Sequence, residues 1–87
     1  MTYRSVPGHD ELHRHGESLV LLDGMVQRIS ALGTVVRAHA VEPATVEALA
    51  AALEEEFGAP PEDSTVEMTQ RSLDALVEAG LLERLGD

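Results

Sequence analysis

At 87 residues the chain is one domain, near the size at which stability becomes marginal, with no room for a second site-bearing domain. Sixteen acidic residues against six basic ones give a formal charge of -10, a field that repels a phosphate backbone over most of the surface. One Tyr, one Phe and no Trp all but remove stacking platforms for bases, and the absence of Cys excludes disulfides, thiolate metal sites and cysteine nucleophiles.

Residues 1–9 contain Pro7-Gly8, show no periodicity and lack the apolar stretch of a signal peptide, so they read as a flexible N-terminal arm, and residues 10–87 as the folded domain. Residues 11–15 alternate loosely and make a first, weak strand that Gly16-Glu17 turns into the next. The strongest local signal follows in residues 18–29, SLVLLDGMVQRI, where two apolar runs flank Asp23-Gly24. A two-residue Asp-Gly loop marks a β-hairpin because both turn residues must take positive φ. That loop sets Leu22 opposite Met25, Val20 opposite Gln27 and Leu19 opposite Arg28. One face then carries Val20, Leu22, Met25, Gln27 and Ile29, the other Leu19, Leu21, Val26 and Arg28. The second face is also partly apolar, so the arm or a partner is expected to cover it.

Ser30 can cap a short helix, Ala31–His39, with Leu32, Val35 and Val36 on one stripe. Thr45 caps a second helix running to Phe57, with Val46, Leu49, Ala50, Leu53 and Phe57 inward and Glu47, Glu54 and Glu55 in solvent. Gly58 and Ala59-Pro60-Pro61 end it. Ser64 and Glu67 have the spacing of a capping box and open a third helix, whose stripe is Val66, Thr69, Leu73, Leu76 and Val77. Gly80 stops that helix, Leu81-Leu82 fold back on the core, and residues 83–87 fray. The fold class is therefore α+β, winged-helix-like, a three-stranded antiparallel sheet followed by three helices. No segment approaches the length of a membrane span, so a cytoplasmic location is expected.

Residue patterns that suggest chemistry have simpler readings here. His13 and His15, at i and i+2 on a strand with His9 nearby, could share a metal, but without Cys or a placed fourth ligand they read as a polar strand face. The run Glu54-Glu55-Glu56 is a solvated helix face rather than an acid/base pair. Asp63-Ser64 invites comparison with carrier proteins that take a phosphopantetheine arm, yet Thr65 follows where those need a large apolar residue and the serine is used as a cap. No catalytic residue, metal or cofactor is expected, and the chain does not read as an enzyme.

Three runs in order, GESLVLLDGMVQRIS at 16–30, ATVEALAAALEEEFG at 44–58 and SLDALVEAGLL at 72–82, resemble the PqqD-like family of leader-peptide recognition domains, also called RiPP recognition elements. The resemblance implies a module that does no chemistry. Such domains capture the leader of a precursor peptide as an added strand and present it to a modifying enzyme or leader protease in peptide natural-product biosynthesis. Carried onto this chain, Met25, Val26, Gln27, Arg28 and Ile29 form the docking strand, and Met68, Arg71, Ser72 and Leu76 of the third helix wall the groove. Gln27 and Ser30 stand where the family often has an aromatic residue and an Asn, and Val35 and Val36 where the first helix often has a Trp. Arg28 and Arg71 together would suit an acidic leader, each guanidinium forking onto a carboxylate.

Two other classes compete with this one. A winged-helix DNA-binding regulator would lay the third helix in a major groove, but that helix carries Glu67, Asp74 and Glu78 against Arg71, so neither nucleic acid nor membrane is an expected partner. A small assembly subunit would instead pair the sheet edge with itself as a homodimer.

Overall fold

The computed structural model describes residues 1–58 and 64–86. In chain order the elements are β1 (Thr2–Ser5), β2 (Asp10–Arg14), β3 (Glu17–Leu22), β4 (Met25–Ile29), α1 (Ala31–His39), α2 (Val46–Phe57), α3 (Thr65–Glu78) and β5 (Leu82–Leu85). Strands β2, β3 and β4 form an antiparallel meander in that order, and the three helices follow, giving the α+β, winged-helix-like class. The expected stop at Ala59-Pro60-Pro61, and Asp63 with it, lie outside the described residues.

Both meander turns are two-residue loops in the left-handed region. Asp23 and Gly24 have φ of 53 and 77°, and His15 and Gly16 have 53 and 80°. The first turn is thus His15-Gly16 rather than Gly16-Glu17, because the glycine takes the second of the two positive-φ positions. The register of β3 on β4 is the expected one, with Val20 opposite Gln27 and Leu19 opposite Arg28. Ser18, Val20 and Ile29 are buried on the inner face. Met25 shares that parity but is 67% exposed, since it directly follows the turn.

The other face is open: Leu12, Leu19 and Val26 are 57, 41 and 65% exposed. The N-terminal stretch does not cover it, and it is not a free arm. It carries β1, which pairs antiparallel with β5, Thr2 opposite Leu85 and Ser5 opposite Leu82. Tyr3 is 3% exposed, exchanges backbone hydrogen bonds of 2.8 and 2.9 Å with Ala44, and its hydroxyl accepts from Gln70 Nε2 at 3.0 Å. Burying an aromatic ring supplies the driving force that the local sequence pattern lacks. Of the stretch expected to fray, Glu83, Arg84 and Leu85 are held by the same pairing, while Leu81 and Leu82 are buried as expected.

All three helices start at the predicted caps. Ser30, Thr45 and Ser64 accept from the backbone N–H of Gly33, Ala48 and Glu67 at 3.2, 3.1 and 3.0 Å, satisfying donors that have no partner within the helix. Their inner faces meet in a core of Val20, Val36, Leu49, Leu53, Leu73 and Leu82. Two stripe positions are wrong: Phe57 and Val66 are 49 and 43% exposed, because the last turn of α2 and the first of α3 run past the core. Among the described residues no helix is long and apolar enough to cross a membrane.

Among the described residues, one charged side chain lies in this interior. Arg37 of α1 is buried and donates to both carboxylate oxygens of Glu11 at 3.0 and 3.1 Å, to Val6 O at 2.7 Å and to Leu81 O at 3.3 Å. The guanidinium thereby fastens β2, the β1–β2 connection and the entry to β5 onto one helix.

Candidate functional site: the outer edge of β4 and its cleft

The loop-closing pair Leu22 and Met25 is a hydrogen-bonded pair in a two-residue hairpin, and such pairs alternate along an antiparallel ladder. Gln27 and Ile29 therefore bond to β3, while the N–H and C=O of Val26 and Arg28 point outward. No described strand lies beyond β4. The opposite edge is treated differently. On β2 the outward N–H of Glu11 is met by the Asp10 carboxylate at 3.0 Å, and the strand carries Asp10, Glu11, His13 and Arg14. Several charged side chains and a self-satisfied amide blunt that edge, whereas β4 carries one charge, Arg28, which is turned to Glu17, and among the described residues no side chain accepts from its outward amides.

Beneath the open edge, a cleft of about 330 Å³ separates β4 from α3. Its floor is apolar, made by Ile29, Leu76 and Leu81, and its helix wall is Ser72, Ala75 and Ala79. These three wall residues, at i, i+3 and i+7, share one helix face, and their small side chains leave the space between helix and strand open. Gly33 contributes by lacking a side chain: a Cβ there would sit 2.8 Å from Ile29 Cγ2, so the missing atom lets Ile29 sink toward α1. At the other end Gln27 Nε2 donates to Ala79 O at 3.0 Å, tying the strand to the C-cap of α3.

The cleft brings together five of the nine expected residues: Gln27, Arg28, Ile29, Ser72 and Leu76. Val26 adds outward main chain but its side chain lies on the open face. Met25 stands at the turn, and Met68 and Arg71 of α3 do not line the cleft. Arg28 extends its guanidinium along the open face, where Nε and Nη2 donate to Glu17 Oε1 at 3.1 and 3.0 Å. An Arg28–Arg71 clamp is therefore not assembled in the cleft. Ala75, Ala79, Gly33, Leu32 and Leu81 line it without having been anticipated; the small-residue spacing Ser72, Ala75, Ala79 was the available signal.

Two other hollows are larger. One of about 500 Å³ is lined by Arg4, Glu11, His13 and Arg37, in which Arg37 is held by Glu11 and Arg4 by Glu83. Another of about 480 Å³ lies on the open sheet face around Leu12, Leu19 and Arg28. His15 occupies the turn, so it does not share a strand side with His13, whose Nε2 is 3.6 Å from Glu11 Oε1. Among the described residues no group of three or more His, Asp or Glu is placed to hold a metal ion. Hydrogen bonding to Arg37, helped by the Gly8 N–H, holds the Glu11 carboxyl below the ordinary carboxylate range despite the opposing effect of burial. Comparison with known proteins finds no matching family model, no similar curated protein and no similar solved structure.

Proposed function

We propose that this chain is a non-catalytic leader-peptide-binding module, a RiPP recognition element of the PqqD-like kind, acting in the cytoplasm. It takes up a precursor peptide by strand addition and presents it to a modifying enzyme or leader protease. The observation that carries this reading is the unpaired outer edge of β4 lying over an apolar cleft. An extended peptide bonded to Val26 and Arg28 satisfies main-chain groups that otherwise face water, while alternate side chains enter the cleft. The same cleft holds no cluster of titratable side chains, which suits binding rather than reaction. A DNA-reading function for α3 is disfavoured by charge, since Glu67, Asp74 and Glu78 are all exposed on it.

The test is an amide NMR titration of the labelled protein with the precursor peptide encoded beside its gene. Shifts concentrated on Met25–Ile29 and on α3 from Ser72 to Ala79 are expected. A folded sample that shows no shifts at high peptide concentration removes the reading, and self-pairing of the β4 edge into a homodimer becomes the alternative to measure, by sedimentation.

A further inference from the structure

The tie between Gln27 and Ala79 closes one end of the groove and makes its two inward-facing strand positions unequal. At Gln27 the amide nitrogen holds the C-cap carbonyl of α3 at 3.0 Å, so strand and helix are pinned together and the opposing wall is Ala79. At Ile29, one inward-facing position further along β4, the strand has an aliphatic side chain and no hydrogen bond to α3 like that of Gln27. Beyond the tied end the lining includes Ile29, Leu76, Ser72 and Ala75. Resting on leader capture at this edge, we infer that Gln27 is the specificity-determining residue of the groove: the bound peptide carries an aliphatic side chain facing Ile29 and Gly, Ala or Ser facing Gln27, two residues apart.

The parity follows from the hairpin. A strand added along β4 bonds to Val26 and Arg28, and residues directly opposite one another share a face. Peptide residues opposite Gln27 and Ile29 therefore point toward α3, and the residue between them points to the open face beside Arg28. A branched aliphatic side chain opposite Ile29 meets Ile29 and Leu76 and leaves water. The same side chain opposite Gln27 must either break the bond to Ala79 O, leaving a helix-terminal carbonyl without its partner, or push α3 away. The intervening residue is held only by its main chain and is left unspecified.

The experiment selects displayed peptides of about twelve random residues against the full-length protein and against Gln27→Ala in parallel. Selected peptides are then synthesised and their sites read by amide shifts. Peptides from the parent selection should share an aliphatic residue two positions from Gly, Ala or Ser. Replacing the small residue by Leu should weaken binding to the parent by about tenfold or more, and to Gln27→Ala by no more than about twofold. Peptides that shift Met25–Ile29 but carry no small-residue preference, or the same preference in both selections, overturn the inference while leaving strand capture intact. Selected peptides that leave β4 unshifted instead remove the underlying reading. Should Gln27→Ala fail to fold, Gln27→Asn keeps the amide but is too short to reach Ala79 and serves the same comparison.

Discussion

A guanidinium with almost no access to water depends on its counter-charge. Arg37 has one carboxylate partner, Glu11, and two main-chain carbonyls. Replacing Glu11 by Gln leaves the buried cation uncompensated in nearly the same space, and should lower unfolding stability by about 3 kcal/mol in urea titrations. The pH dependence has a definite sign. Arg37 keeps Glu11 charged in the folded chain to lower pH than in the unfolded one, so its contribution is complete above the ordinary carboxylate range. It is lost as pH falls through the depressed folded value. The stability gap between parent and Glu11→Gln should therefore be full at neutral pH and close in acid, below about pH 4. A gap independent of pH would mean that the hydrogen bonds matter and the charge does not.

Elements with a local signal were legible in the sequence, and elements made by distant pairing were not. Asp23-Gly24 announces its hairpin, and Ser30, Thr45 and Ser64 announce their helices, because turn and cap geometries are decided within four residues. By contrast TYRS and LERL become strands only by meeting from opposite ends of the chain. Arg37 went unnoticed since a charged residue on a helix ordinarily reads as solvated. Ala75 and Ala79 were passed over because alanine in a helix reads as helix propensity rather than as surface. At this scale β4 gives a parity test by proline. Val26→Pro removes an outward N–H only, so the fold should melt near its parent temperature while leader affinity falls about tenfold. Gln27→Pro removes a ladder bond to Val20 and should destabilise the hairpin by about 3 kcal/mol. Equal melting temperatures for the two variants would refute the hairpin register drawn from the turn.

Across the whole molecule, charge and topology divide the surface. The exposed residues Glu47, Glu54, Glu55, Glu56, Glu67, Asp74 and Glu78 crowd the helical side, leaving the open sheet face with Asp10 and Glu17 balanced by Arg14 and Arg28. Two copies repel along their helices, and approach is easiest at the sheet, beside the proposed peptide edge. Integrity of this small fold rests heavily on Tyr3, whose ring is buried and lies 5.8 Å from the Arg84 guanidinium. Tyr3→Ala should cost about 3 to 4 kcal/mol, a large fraction of the stability available to so short a chain, read as a shift in the urea midpoint. A midpoint that stays in place would show that β1 lies outside the cooperative unit.

The β1–β5 pairing also sets how the molecule responds to tension. Thr2 and Leu85 face each other at the open end of the ladder, so pulling the two ends apart loads its rungs one after another instead of all together. Such a peeling geometry yields at low force. Traction on both ends would strip Tyr3 and Leu82 from the interior first, before any load reaches the β3–β4 hairpin.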